Sequence, residues 1–527
     1  MEPECIPHTL IPGTSALFND YLYDFEKVAK FFPHRPYSLE SYTAAGKEVQ
    51  YPAERRAALV EALRPLNQGS LNLDRLAEPG TLAVVTGQQV GLFSGPAYTV
   101  YKAVSAAKLA RELTHNGMPA VPVFWLATED HDVEEVSHVW VFDETARPTR
   151  IDVTEQNGTG KLKPVGHISL RDIPIDALRE ALGALPHADE VVALVERTYL
   201  PDATFGESFL RLLKELLADL DLIYIDPLLP AVRQISSQFL ADAVGRIPGL
   251  LDNLLDRNRE LLAEGYHAQV NLEPDSSLLF LFEQGKRVAL RLRDGQFRSN
   301  ERSYSVAELQ DRSADLSPNA LLRPVMQDYL FPTVAYVGGP AELAYMAQSE
   351  IIYLALLGRM PVMAPRNGFT LLDGRAGKLM VRYGLQVPEL FDYQEVVRAR
   401  IAAKLVPAHL LEYFSAMREA TASQLVGLRV ELVRFDPTLE AAARKSESKI
   451  LYQLEKLKQK TAREAMRRDA RATSEALYLS DLVYPHRHLQ ERLYSILPFL
   501  AKFGLDLPQR LLHDAALDCP DHTVRVF

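Results

Sequence analysis

The chain has 527 residues, 47% of them hydrophobic and 24% charged, with a formal net charge of −11. One large core with insertions, or roughly two to three domains, is expected at this length, and the negative balance argues against a surface that grips nucleic acid. Only Cys5 and Cys519 occur, near opposite ends, which excludes a disulfide framework and a Cys-rich zinc site.

No apolar run approaches the roughly 18–20 residues of a membrane span, and residues 1–13 lack a basic region followed by a greasy one. A reducing, cytoplasmic setting with no membrane contact and no leader is the expectation. One stretch departs from the overall charge. Residues 441–471 carry ten Lys/Arg against four acids, a local +6 that leaves −17 for the remainder. That segment reads as a structurally separate piece.

Residues 17–32 read as an amphipathic helix stopped by Pro33. Strands and helices then alternate. Residues 82–85 form an apolar run without alternation, as a strand buried on both faces requires. Residues 96–113 are helical, with Ala103, Ala107 and Ala110 along one side. Residues 121–127 make a second buried strand, whose Pro122 belongs at its start or on an edge. Residues 209–220 are helical and lead into a strand at 222–225. Residues 333–337 and 362–364 look similar to the earlier strands. This order implies an α/β fold with a mostly parallel, doubly wound sheet. Two insertions interrupt it: 140–200, with a polar Gly-rich patch at 157–160, and 266–310, an antiparallel β unit with turns at Gly285 and Gly295. Residues 391–477 are nearly all helix formers. Ile450, Leu454 and Leu457 keep a 4–3 spacing, while Glu447 and Thr461 fall on the same stripe, so a helical hairpin or short coiled coil is expected. The expected layout is a core over 1–390, a helical arm over 391–480 and a returning segment over 481–527.

Ligands of open parallel sheets bind beyond the carboxyl ends of the strands, so the residues after each strand carry the chemistry. After the first strand comes Thr86-Gly87-Gln88-Gln89-Val90-Gly91-Leu92-Phe93-Ser94-Gly95-Pro96. Its glycines admit close backbone approach, and free N–H groups at the helix start would hold a phosphate or carboxylate. A tight strand–helix turn explains the same pattern. After the second strand, which carries Trp125, comes Thr128-Glu129-Asp130-His131-Asp132. Capping accounts for Asp132 with Glu135. It leaves Glu129, Asp130 and His131 for function, and carboxylates beside His131 would raise its pKa into the proton-shuttling range. Glu134 and His138 lie four apart, but two residues are not a metal site, and none is expected.

The third rich segment carries Asn319, Arg323 and Gln327, then Gly338, Gly339 and Glu342 beyond the fourth strand. Arg323, and Arg366 after the fifth strand, would bind carboxylate or phosphate; a structural ion pair is the alternative. Asp226 closes the third strand and would hold a hydroxyl or amine, unless its Asp-Pro sequence only forms a turn.

Five stretches strongly resemble the cysteine-adding enzyme family of bacillithiol biosynthesis. They are VVTGQQVGLFSGPAYTVYKA (84–103), PVFWLATEDHDVEEV (122–136), LSPNALLRPVMQDYLFPTVAYVGGPAELAYMAQ (316–348), MPVMAPRN (360–367) and YPHRHLQERLYS (484–495). The resemblance implies a Rossmann-like core with connecting insertions, related in shape to class I aminoacyl-tRNA synthetases, and a coiled coil through which two subunits dimerise. It implies a ligase that joins the cysteine carboxyl to the glucosamine amine of glucosaminyl-malate, with ATP and Mg as the expected energy source. Residues 86–96 would stand where the related synthetases keep a His-x-Gly-His nucleotide motif. This chain has no such histidine pair and no Lys-Met-Ser-Lys-Ser segment; Lys378 is a poor substitute. His131, flanked by Asp130 and Asp132, is then the expected proton-transfer group, and Arg323 and Arg366 the expected malate binders.

Two other classes compete. One is a nucleotidyltransferase or amide-forming synthetase with a different acceptor. The other is a dimeric coiled-coil protein whose basic arm binds RNA or acidic partners. Tyr452 is the only aromatic in that basic run, so base stacking is poorly supported, and a solvated helix face accounts for the charge.

Overall fold

The computed structural model describes residues 3–153 and 162–527, so the Gly-rich patch expected at 157–160 lies outside the described residues. The chain forms two compact units. The first comprises Met1–Glu144, Pro148–Leu371 and Glu491–Arg525; the second comprises Thr145–Arg147, Leu372–Gln490 and Val526–Phe527. Along the chain the main changes of unit fall at 371/372 and 490/491; the sequence expectation is 390 and 480.

Five short strands build the centre of the first unit: β1 (Leu82–Gln88), β2 (Ala120–Leu126), β3 (Ile223–Ile225), β4 (Thr333–Gly338) and β5 (Val362–Pro365). Every pairing is parallel and the order is β5-β4-β1-β2-β3. This is the Rossmann-like, doubly wound sheet expected from the alternation. The lack of polar alternation in these strands has a direct cause. Ala83, Val85, Val121 and Val123 enter one apolar core, while their neighbours Leu82, Val84 and Ala120 enter another on the opposite face. Helix Tyr98–His115 covers the second face through Ala106, Leu109, Ala110 and Leu113. Helix Pro230–Ala263 covers the first.

Pro122 sits in the third position of β2, an interior strand. It is tolerated because short β3 pairs only with residues 123–125, so β2 is an edge at Pro122. The first predicted helix is shorter than expected: it spans Ala16–Tyr23 and passes into a 3-10 turn at Phe25–Lys27. The insertion near 266–310 is antiparallel, with Ser276–Glu283, Lys286–Arg293, Gln296–Arg298 and Ser303–Tyr304 in one sheet that Leu316–Pro318 completes.

The second unit is helical. Its long helices Ala408–Phe435 and Glu440–Arg468 are joined by the 3-10 turn Pro437–Leu439, which makes them a hairpin. Glu447, which interrupts the apolar stripe, is ion-paired at 2.7 Å with Arg429 of the facing helix. Ile450 and Leu457 on the same stripe are largely exposed. Among the described residues no helix is long and apolar enough to cross a membrane.

Gly87 is placed by register opposite Trp125, and a Cβ there would lie 2.7 Å from the Trp125 carbonyl oxygen and 2.8 Å from its Cβ. The β1–β2 pairing therefore needs glycine at 87. Gly87→Ala is expected to cost about 1–3 kcal/mol through overpacking. The midpoint of urea unfolding should fall accordingly, and an unchanged midpoint would refute the steric reading.

Candidate functional site

The strand order reverses between β1 and β4, and in such sheets a crevice opens beyond the carboxyl ends at that point. A cleft of about 590 Å³ lies there, entirely within the first unit. Of the residues expected from sequence, Gly87, Gln88, Gln89, Trp125, Glu129, Asp130, His131, Asn319, Arg323, Gly339, Glu342 and Arg366 line it. Thr86, Gly91, Ser94, Gly95, Pro96, Asp132, Asp226, Gln327 and Gly338 do not.

Most of these exclusions have a local cause. Thr86 is buried and donates its hydroxyl to the Val337 carbonyl at 2.9 Å, tying β1 to β4. The loop after β1 folds inward on left-handed residues Phe93 (φ 49°), Ser94 (φ 77°) and Gly95 (φ 62°). Four of its donors are occupied: Gly91 N–H on the Gln89 carbonyl, Gly95 N–H on the Leu92 carbonyl, Phe93 N–H on the Tyr199 hydroxyl and Ala97 N–H on the Tyr494 carbonyl. These four N–H groups are turned to acceptors within the protein and away from the anion-binding role expected of this helix start. Asp226 accepts from the Thr128 hydroxyl and from Leu228 N–H, so its turn-forming role is the one observed. Gln327 accepts from Arg323 Nη1 at 3.1 Å and so supports the cleft from behind.

At the junction of β1 and β4 lies a buried ion pair. Lys102, on the helix after β1, places Nζ 2.6 Å from Glu342 Oε2, with both side chains largely covered. Its other protons go to the Gly87 carbonyl at 2.9 Å and Gln88 Oε1 at 3.0 Å. Glu342 also accepts from Tyr336 hydroxyl at 2.6 Å and Gly339 N–H at 2.9 Å. Burial alone would raise this carboxyl, but the Lys102 charge and the three hydrogen bonds together hold it below the usual carboxylate range. The sequence reading missed Lys102. Its signal was a lysine on the helix face shared with Thr99 and Ala106, where a surface lysine has no place.

The segment after β2 is organised by caps and pairs. Glu129 is buried, bonds Arg233 at 2.9 Å and accepts from the Ser317 hydroxyl at 3.3 Å. Asp130 Oδ1 accepts from the N–H groups of His131 at 2.7 Å and Asp132 at 3.4 Å. Asp132 caps Glu135 N–H, as the capping reading expects. Glu135 lines the cleft and accepts from Gln89 Nε2 at 2.9 Å. Partial burial, with the neighbouring charges of Asp130 and Asp132, raises its carboxyl pKa.

His131 behaves opposite to expectation. Its ring is half-buried, and burial followed by the Arg287 guanidinium lowers its pKa, outweighing Asp130 and Asp132. Arg287 Nη1 lies 3.2 Å from His131 Nδ1. This arginine sits on the antiparallel insertion, held by the Ser317 hydroxyl at 3.0 Å, the Pro318 carbonyl at 2.8 Å and the face of Phe280 at 3.8 Å. It reads from sequence as one more outward residue of an alternating strand, because its partner lies 156 positions away.

The remaining cations divide into two kinds. Arg366 is paired with Glu491 at 2.5 Å, so the structural-pair alternative holds for it. Arg323 has no carboxylate partner among the described residues. Its contacts are Gln327 and the hydroxyls of Tyr336 and Tyr345, each at 3.4 Å. Arg492 lines the cleft, exposed and unpaired among the described residues. The cleft thus presents guanidinium charge not neutralised from within, which suits an anionic ligand.

Residues 1–367 match the family described as "Bacillithiol biosynthesis BshC, N-terminal Rossmann-like domain", and residues 369–524 match "Bacillithiol biosynthesis BshC, C-terminal coiled-coil domain". A protein of Solibacter usitatus named "Putative cysteine ligase BshC" is 53% identical over 100% of both chains. Proteins with the same name from Koribacter versatilis (35% identical, 99% of each chain) and Salinibacter ruber (32%, 96% of this chain and 95% of that one) are also similar.

Removing one partner of the buried pair leaves the other charge uncompensated. Lys102→Met is expected to cost about 3–5 kcal/mol in a urea melt, and Lys102→Met combined with Glu342→Gln should cost less than the single change. Additive losses would show that the two side chains do not act as a pair.

Proposed function

Because the chain belongs to the BshC family of bacillithiol biosynthesis, we propose that it is a cysteine ligase that completes that pathway. It would join the cysteine carboxyl to the glucosamine amine of glucosaminyl-malate. The observation that carries this reading is Arg323, half-buried on the switch-point cleft and bonded only to neutral groups. A guanidinium that lines a cleft without a carboxylate partner suits one from a ligand, and malate supplies two. Arg492 at the rim adds a second, exposed cation.

Amide formation requires the amine to lose a proton. Glu135, with its carboxyl pushed upward and its side chain at the cleft, is the group we assign to accept it. Joining a free acid to an amine in water is uphill, so an energy source is needed, and ATP with Mg is the expected one. In the loop after β1 the N–H groups of Gly91, Phe93, Gly95 and Ala97 are bonded within the protein; no step is assigned to a nucleotide there. The exposed apolar residues Leu428, Phe435, Ile450 and Leu457 on the helical hairpin support a homodimer formed through it. A cytoplasmic setting agrees with the two free thiols, Cys5 and Cys519.

The deciding experiment mixes the protein with cysteine, glucosaminyl-malate and Mg-ATP and follows bacillithiol by thiol labelling and mass spectrometry, with each component omitted in turn. Product that needs all components supports the proposal. Its absence with folded protein overturns it in favour of a different acceptor or donor. Within an active assay, Arg323→Lys should raise KM for the malate-bearing substrate by about tenfold or more, as loss of a planar two-pronged donor implies. Glu135→Gln should lower kcat by about a hundredfold with KM little changed; a KM effect alone would remove Glu135 from the proton step.

A further inference from the structure

We infer that Arg287 is a positioning residue that locks His131 as a neutral imidazole, Nδ1 accepting and Nε2–H presented to the cleft, so that His131 serves as a fixed hydrogen-bond donor to a substrate oxygen and not as a proton shuttle. The substrate assignment rests on the ligase reading above; the tautomer does not.

The geometry is decisive because a guanidinium has donors and no acceptor. At 3.2 Å from Arg287 Nη1, Nδ1 must offer its lone pair, which puts the ring proton on Nε2. Arg287 cannot swing away easily. Its Nε and Nη2 are fixed by Ser317 and Pro318, its plane lies against Phe280, and the whole side chain is buried. The ring of His131 is fixed in turn, edge-on to the same Phe280 with centroids 5.7 Å apart. Nε2 has no protein partner among the described residues, and the side chain lines the cleft. The charged groups facing the ring are Arg287 from the insertion strand, and Asp130 and Asp132 from its own loop. Asp130 approaches Nδ1 only to 3.8 Å, with Oδ1 already bonded to two backbone N–H groups. Protonating the ring would set Nδ1–H against the Arg287 donors.

A neutral Nε2–H donor has a definite use in acyl transfer. As the amine attacks, the carbonyl oxygen of the cysteine carboxyl gains negative charge while its carbon becomes tetrahedral. A preplaced donor stabilises that charge more than it stabilises the starting acid derivative. The C–N bond forms, and the bond from the same carbon to an activating phosphate oxygen supplied by ATP breaks, with its electron pair leaving on that oxygen. The amine proton passes to Glu135, so His131 ends the step with the proton with which it began.

The test uses the full chain with histidine labelled in nitrogen-15, the His131 signals being assigned by their loss in His131→Gln. The unsubstituted protein should show Nε2 protonated, Nδ1 bare and a titration midpoint below 6.5. In Arg287→Gln the midpoint should move upward, since Asp130 and Asp132 remain. A His131 that carries its proton on Nδ1, or titrates at or above 6.5 with Arg287 in place, overturns the proposal without any assay. In an active assay, His131→Gln, which keeps an N–H near the Nε2 position, should retain at least about tenfold more kcat/KM than His131→Ala. Equal losses would overturn the donor role while leaving the ligase reading intact. No product from the unsubstituted protein would sink the ligase reading and leave the tautomer to the spectra.

Discussion

The Lys102–Glu342 pair is the constraint on which the site depends. It joins the helix after β1 to the first turn of the helix after β4, Pro340–Leu357, the two elements that flank the crevice. Burying both charges is costly in itself, and such a pair is weak evidence for stability. Its value here lies in geometry. Lys102 also grips Gly87 and Gln88 at the end of β1, while Glu342 grips Gly339 and Tyr336 at the end of β4. The mouth of the crevice is thereby set by charge and hydrogen bonds, where a purely apolar contact would allow sliding. Tyr336 carries this order further: the hydroxyl that donates to Glu342 is one of the weak partners of Arg323.

A second level of organisation is the division of charges between those satisfied within the protein and those left open. Glu129 with Arg233, Glu342 with Lys102 and Arg366 with Glu491 are closed pairs. They hold loops after different strands in place and offer little to a ligand. Arg323 and Arg492 are open, and both lie on the same cleft. Sorting the charges this way matters more than counting them, because a paired arginine lining a cavity adds little net field there.

Much of the fold was legible locally. Short apolar runs without alternation marked all five strands, because each is buried on both faces. The loops after β1, β2 and β4 were legible as chemistry-bearing because polar residues followed such runs. What could not be read was every feature decided by a distant partner. Phe93 N–H meets Tyr199, 106 positions on, which turns the glycine loop into packing. Arg366 meets Glu491 across 125 positions, which converts an anion binder into an ion pair. The direction expected for the His131 pKa is reversed for the same reason. Its sequence neighbours are carboxylates and argue for a raised pKa, whereas its nearest charged atom belongs to an insertion strand.

That last case shows how narrowly such a balance is struck. At an effective dielectric near 20, two unit charges about 4 Å apart interact by about 4 kcal/mol. Arg287 at 3.2 Å disfavours an imidazolium on this scale, and Asp130 at 3.8 Å favours it by a similar amount. Coulomb terms of opposite sign thus nearly cancel. The decision passes to burial, which always disfavours the charged ring, and to the direction of the Arg287 donors, which admits only a lone pair at Nδ1. A charged histidine here would add a further cation to a cleft that already holds Arg287, Arg323 and Arg492. It would strengthen the grip on the anionic ground state along with any later state, whereas a neutral donor gains most where negative charge first appears during reaction.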